Sequence, residues 1–284
     1  MIGKISLFSV IFVAMSVFVT ASMYVENKGK VVSVVASETI PLPQSLTTTT
    51  WGIFDPETGA LLAGSNFDAP FPIASITKLF TAHAVLQSPL KNEKFKIISA
   101  DVNTEGRSGK LSEGLETTPY ELLFPLLLES SNDAAVAIER ALNTVFIESK
   151  EEVIRSLSLT HTYIVEPTGL SSKNVSTAAD LSIFFAYLRK TYPHIVDITT
   201  LDTYIDGRTG YGNSNPLHSL SNFRGGKQGY TNEAKHTFVG TFTLPGSSKE
   251  IGIVLLQSSD LQGDSEAILS YSERLFHDSD ILKL

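Results

Sequence analysis

A serine three residues ahead of a lysine opens the argument, because that pair can make a nucleophile. Ser75 and Lys78 lie in PIASITKLFTA, from Pro72 to Ala82. Pro72 and the small Ala74 lead in, and Ile76, Leu79, Phe80 and Val85 supply apolar residues for a buried helix that starts near Ser75. Residues three apart on a helix lie on one face, so an amine would stand beside a hydroxyl. A serine hydroxyl is a weak nucleophile until a base takes its proton, and a lysine serves when burial and neighbouring positive charge favour the neutral amine. The helix N-terminus adds free N–H groups where an oxyanion can form. Spacing alone establishes nothing, since Ser88-Pro-Leu-Lys91 repeats it. There, Pro89 interrupts the helix that would align the two side chains.

Two further groupings suit the same chemistry. Ser130-Ser131-Asn132 offers a hydroxyl able to relay a proton and a carboxamide able to hold a peptide bond. Read by itself, it is an N-cap. A second Ser-x-Asn, Ser172-Lys173-Asn174, falls in an expected surface loop. Lys227-Gln228-Gly229, followed by Tyr230, places a cation on a sheet edge with a glycine that admits close approach of a substrate. Read by itself, it is a charged hairpin.

These groups need elements to position them. Thr50–Phe54 and Ala60–Ala63 read as a hairpin around the turn Asp55-Pro56-Glu57-Thr58-Gly59. Phe95–Ile98 is a short strand, and Asp101–Thr117 reads as a polar loop with room for short strands. Thr118, Pro119 and Glu121 form a capping box ahead of an apolar helix, Leu122 to Leu128. A second helix starts at Asn132-Asp133, so the break between them exposes Ser130 and Asn132. Further helices are expected over Glu148–Leu157, Ala178–Arg189 and Gly263–His277, and strands over His236–Leu244 and Ile251–Gln257. Strands at both ends with helices between them predict an α+β fold. Its antiparallel sheet comes from N- and C-terminal parts, is flanked by helices, and carries a mainly helical subdomain.

Composition narrows the function. The 284 residues carry a net charge of −8 without a basic patch, which argues against nucleic acid as a partner. No cysteine is present, so disulfides, thiolate catalysis and cysteine-held metals are excluded. The six histidines are scattered and form no ligand pair, so no metal is expected. Ile5 to Val25 runs twenty-one residues without a charge, long enough to cross a bilayer. Residues 1–25 read as an uncleaved membrane anchor, or a signal peptide if cut at Val19-Thr20-Ala21. Residues 26–48 read as a tether and 49–284 as the enzymatic domain, sent out of the cytoplasm to the cell envelope.

Taken together, Ser-x-x-Lys, Ser-x-Asn and Lys-x-Gly in this order resemble the signatures of penicillin-recognising serine enzymes. With DPETGALLAG, LLLESSNDAA, PTGL, STAADL, NSNPL and GGKQGYT around them, Thr50 to Phe276 resembles the D-alanyl-D-alanine carboxypeptidase family. These are the low-molecular-weight penicillin-binding proteins of the beta-lactamase/transpeptidase-like fold. The resemblance implies a cofactor-free hydrolase that removes terminal D-alanine from peptidoglycan stem peptides and is acylated by beta-lactams. It makes Ser75 the nucleophile, Lys78 the general base and Ser130 the proton relay. Asn132, Lys227, Gln228 and Gly229 would bind substrate, and the N–H groups of Ser75 and Tyr230 would form the oxyanion hole.

The chain departs from the family pattern in two places. Gln228 stands where the family has threonine, and Ser258 to Asp264 holds no arginine ahead of the last helix. Both changes touch recognition of a free C-terminal carboxylate. They keep open a D,D-endopeptidase acting on cross-links and a catalytically weak scaffold. Glu166-Pro167 keeps open a class A-like beta-lactamase, although Ser131 and Gly169-Leu170 differ from that class. Arg208-Thr209-Gly210 competes for the third motif but lacks the flanking NSNPL and FVGTF.

Overall fold

The computed structural model describes residues 43, 46–106, 109–207 and 209–277. The expected anchor at 1–25, most of the tether and Arg208 lie outside the described residues. In chain order the elements are β1 (Thr50–Phe54), β2 (Leu61–Ser65), β3 (Phe71–Pro72), a 3₁₀ turn (Ala74–Ile76) and α1 (Thr77–Gln87). There follow β4 (Phe95–Lys96), α2 (Ser99–Val102), β5 (Glu116–Thr117), a π turn (Pro125–Glu129), α3 (Asn132–Leu142), α4 (Thr144–Ser156) and β6 (Val175–Ser176). The chain continues through α5 (Ala178–Thr191), α6 (Pro193–Thr199), β7 (Thr203–Ile205), β8 (Gly210–Gly212), β9 (Phe223–Thr231), β10 (Lys235–Thr243), β11 (Glu250–Ser258) and α7 (Leu261–His277).

The main sheet has the order β2-β1-β11-β10-β9, with every pairing antiparallel. As expected, it joins the two ends of the chain. Trp51 pairs with Leu255 and Ile53 with Ile253, and Lys227 on the edge strand β9 pairs with Val239. Both faces are covered. Val239, Val254 and Leu256 face the helical part with Phe54, Phe80, Phe184 and Phe185, whereas Ile253, Leu255, Phe238 and Phe242 pack with Ile268, Leu269 and Tyr271 of α7. Double coverage explains the unbroken apolar run of β11. A half-solvated strand would alternate polar with apolar residues instead. The Trp51 and Tyr271 rings meet edge to face at 5.8 Å and help fix α7 on the sheet.

α1 runs through the middle of the helical part, and every residue from Thr77 to Val85 is buried. Its polar side chains find partners, as burial requires, except at His83 Nε2, which is buried without one among the described residues. Thr77 Oγ1 accepts from Asn174 Nδ2 at 3.1 Å, Thr81 Oγ1 donates to Pro167 O at 2.8 Å, and His83 Nδ1 lies 3.3 Å from Ser149 Oγ. The second Ser-x-x-Lys behaves as Pro89 dictates. α1 stops at Gln87, and Ser88 caps the 3₁₀ turn Pro89–Asn92 through Leu90 N.

Several local expectations are revised. The packed body begins by Leu46, ahead of Thr49. Thr47 donates to both carboxylate oxygens of Asp264, at 2.7 and 2.8 Å, and Thr48 Oγ1 donates to Leu256 O at 2.7 Å. The loop expected from Asp101 does hold a short strand, β5, but its start belongs to α2, where Arg140 holds the buried Asp101 carboxylate. The Thr118 box forms as expected, with Thr118 N donating to Glu121 Oε2 at 2.8 Å and Glu121 N to Thr118 Oγ1 at 3.1 Å. The helix it was expected to start becomes a wider π turn at Pro125–Glu129, since proline supplies no N–H to an α-helical ladder. α4 starts at Thr144, four residues ahead of the expected Glu148.

Candidate active site

Ser75 sits in the 3₁₀ turn that feeds α1, and the backbone there is strained. Ala74 has φ +47, a left-handed conformation that a residue with a Cβ adopts only under constraint. The constraint comes from both sides. Thr237 Oγ1 of β10 donates 2.9 Å to Ile73 O, and Ile73 N donates 3.0 Å to Asn174 O. Gly229 of β9 leans on the same turn. A Cβ at Gly229 would stand 2.5 Å from Ser75 N and 2.9 Å from Ala74 Cβ. A glycine is therefore required for the edge strand to come this close, as the Lys-x-Gly grouping suggested.

Lys78 is fully buried, whereas Ser75 keeps partial access to solvent. The Lys78 Nζ lies 3.0 Å from Ser75 Oγ, 2.7 Å from Asn132 Oδ1 and 2.5 Å from Thr168 O. This set of partners has a chemical meaning. The carboxamide and carbonyl oxygens can only accept. A neutral amine that gives its two N–H groups to these oxygens can turn its lone pair to the Ser75 hydroxyl.

Ser130 follows the π turn with φ +59 and ψ +36. That left-handed residue turns the chain sharply, so Ser131 can cap α3 by accepting from Ala134 N at 2.9 Å. Ser131 Oγ also donates to Asp133. Ser131 thus takes the N-cap role that competed for the whole triplet, and Ser130 and Asn132 on either side point into the site. Lys227 is 3% exposed, and its Nζ reaches 2.9 Å from Ser130 Oγ and 2.9 Å from Gln228 O. Asn132 Nδ2 donates 2.9 Å to Glu105 O. Ser75, Lys78 and Asn132 are therefore linked directly, and Ser130 joins Lys227 of the facing strand. Below this turn the Tyr211 hydroxyl is pushed up to about 12, mainly by burial and then by the carboxylates of Asp206, Glu129, Asp133 and Glu121.

Three supports carried no role in the sequence reading. Ser214, inside NSNPL, donates through both N and Oγ to Leu128 O at 2.9 Å and props the π turn under Ser130. Asn213 Nδ2 ties that segment to Thr199 O and Leu201 O, at 2.8 and 3.0 Å. Thr168, inside PTGL, supplies the third partner of Lys78. The family-like motifs were visible, but nothing local tells a supporting carbonyl from any other.

Two other candidates fare differently. Asn174 belongs to no surface loop as a side chain. It is fully buried, and its Oδ1 accepts from Val165 N and Glu166 N at 2.8 and 3.3 Å. The Glu166 carboxylate turns into its own loop and accepts from Thr168 N, Thr168 Oγ1, Gly169 N, Ser171 N and Asn174 Nδ2 at 2.5–3.2 Å. Two carboxylate oxygens have about four lone-pair positions, so these donors leave none aimed at a deacylating water. The geometry gives no support to a class A-like role for Glu166. Among the described residues, no three His, Asp or Glu side chains are placed to hold a metal.

Comparison with known proteins bears on the family and the fold. Residues 36–258 match the family model described as D-alanyl-D-alanine carboxypeptidase. The chain is 32% identical over 232 residues to a D-alanyl-D-alanine endopeptidase of Pseudomonas aeruginosa, covering 77% of this chain and 74% of that one. It is 30% identical over 211 residues to the D-alanyl-D-alanine carboxypeptidase DacB2 of Mycobacterium tuberculosis, covering 71% and 72%. A solved D-alanyl-D-alanine carboxypeptidase from Mycobacterium tuberculosis superposes with a TM-score of 0.76 at 26% identity, covering 87% of this chain and 97% of that one.

Proposed function

The chain belongs to the D-alanyl-D-alanine carboxypeptidase family and is a hydrolase of that class, and we propose that Ser75 carries its acyl-enzyme. The substrate is a peptidoglycan stem peptide ending in D-Ala-D-Ala. Lys78 takes the Ser75 proton, and Ser75 Oγ attacks the penultimate D-Ala carbonyl. The N–H groups of Ser75 and Tyr230 receive the oxyanion. As the peptide bond breaks, Ser130 hands a proton to the leaving D-Ala amine, and Lys227 steadies the charge that passes through Ser130. Water then attacks the ester and frees Ser75. Asn132 holds the substrate amide, and Lys227 and Gln228 face the terminal carboxylate. A beta-lactam enters the same path and stops at the ester.

One observation carries this reading. A single buried amine contacts Ser75 Oγ, Asn132 Oδ1 and Thr168 O together, at 3.0, 2.7 and 2.5 Å. Intact-mass analysis after penicillin treatment tests it, with wild type compared to Ser75→Ala. One penicilloyl mass is expected on wild type and none on the variant. An adduct that persists in Ser75→Ala refutes the nucleophile.

Gln228 and the arginine-free stretch Ser258–Asp264 favour a second reading, endopeptidase action on cross-links. An internal bond has no terminal carboxylate to hold, so the loss of those two groups costs less there. Release of D-alanine from free pentapeptide, measured against cleavage of a cross-linked dimer, separates the two. Cleavage of neither by folded protein, with no adduct at Ser75, would leave the scaffold reading. The substrate lies outside the cytoplasmic membrane, and residues 1–25 serve as the anchor in this proposal. Among the described residues, no helix is long and apolar enough to cross a membrane.

A further inference from the structure

The loop from Glu166 to Asn174 has no part in the chemistry just derived, yet it touches both reacting groups. Thr168 O accepts from Lys78 Nζ at 2.5 Å. Gly169, at φ +89, lies so close to the nucleophile's turn that a Cβ there would stand 2.0 Å from Ala74 O. Thr168 C=O and Gly169 N–H belong to one peptide group. Its carbonyl end faces Lys78, and its N–H end donates 2.8 Å to Glu166 Oε1. The other carboxylate oxygen takes Thr168 N at 2.7 Å and Thr168 Oγ1 at 2.5 Å. Asn174 Nδ2 holds the carboxylate from behind at 2.7 Å. A chain of hydrogen bonds thus runs from the Lys78 amine through one peptide group to a carboxylate.

We propose that Glu166 is a positioning residue for acylation. Its carboxylate fixes and polarises the Thr168–Gly169 peptide group, whose carbonyl holds the Lys78 amine with its lone pair on Ser75 Oγ. Two effects act together. The carboxylate sets the direction of the Thr168 carbonyl by binding both neighbouring N–H groups. Its negative charge on the N–H end strengthens the acceptor at the carbonyl end, since linked hydrogen bonds polarise one another. Without the anchor, the amine would keep Asn132 Oδ1 but lose the second point that defines where its lone pair aims. Misplacement of a reacting group by a fraction of an ångström to about 1 Å costs up to about a hundredfold in rate.

The inference rests on Lys78 as the base of Ser75, so its test uses the full chain and a beta-lactam whose binding and acylation steps can be resolved. Glu166→Gln keeps size and removes the charge. The limiting acylation rate constant is expected to fall about ten- to hundredfold, with the dissociation constant of the non-covalent complex nearly unchanged and the adduct still on Ser75. Ser171→Ala, in the same loop, is the companion variant. The hydroxyl it removes accepts from Lys173 N at 3.2 Å, while the Ser171 N–H donor to Glu166 stays, and it should acylate close to the wild-type rate. Should Glu166→Gln fail to fold, Glu166→Asp, which withdraws the carboxylate by one methylene, should show the same split.

Three results overturn the proposal. The first is an unchanged acylation rate in the Glu166 variant. The second is normal acylation with slowed release of hydrolysed drug, which would make Glu166 a base for water. The third is an equal loss in Ser171→Ala, or a parallel loss of binding, acylation and melting temperature in the Glu166 variant, which would make the loop merely structural. Wild-type acylation at Ser75 in the same assay stands apart from all three and reports separately on the catalytic reading.

Discussion

Replacing Lys78 with methionine removes the proposed base and keeps most of the volume. The amine is fully buried and touches Ser75, Asn132 and Thr168, so the consequences can be worked out separately for rate and for stability. For rate, loss of a positioned general base costs about 10²–10⁴-fold, or about 3–5 kcal/mol in activation free energy at about 1.4 kcal/mol per decade. For stability, Asn132 Oδ1 and Thr168 O each lose a buried donor, at a cost of about 1–3 kcal/mol apiece. Methionine offsets much of this, because an apolar thioether has no need of the polar contacts that a buried amine demands. The expected protein therefore melts within a few degrees of wild type and is acylated hundreds of times more slowly. Stopped-flow or gel-based labelling with a fluorescent penicillin measures the rate, and differential scanning fluorimetry measures the melting. If Lys78→Met labelled Ser75 at the wild-type rate while folded, the amine would not be the base, and the lone-pair argument would fail with it.

Other consequences follow from the same contacts. Gly169→Ala should lose acylation and melt several degrees lower. Its Cβ would meet Ala74 O at 2.0 Å in a left-handed backbone, a strain of at least about 1–2 kcal/mol before the clash is counted. A variant with unchanged melting and labelling would show that the loop does not press on the Ser75 turn. His83 is pushed down to about 4 by burial among Phe184, Tyr187 and Tyr192. Because its folded value lies below the ordinary 6.5, its contribution is complete above about pH 6.5 and is lost as the pH falls through about 4. The size is on the order of 3 kcal/mol at most. Melting curves of wild type and His83→Gln at pH 7 and at pH 4.5 should therefore converge on the acid side, and parallel losses in the two proteins would remove His83 from the account.

Local chemistry in the sequence determined a good deal. The helical repeat alone places Ser75 and Lys78 on one face. Pro89 alone rules out the second copy of that spacing, and the Thr118–Glu121 box sits where its residue types put it. Apolar runs located β1, β10 and β11, and their placement at opposite ends of the chain implied the sheet that joins them. Each of these depends on residues within a few positions of one another, where geometry follows from the backbone period.

The tertiary structure decided what lies opposite each group. Lys78 meets Asn132 across 54 residues and Thr168 across 90, and Lys227 meets Ser130 across 97. It also decided that Glu166 turns inward, that Asn174 is buried in a loop expected to be solvated, and that a π turn sets Ser130 at φ +59. Such contacts depend on how the closed chain packs. No periodicity encodes which distant carbonyl will stand 2.5 Å from a buried amine.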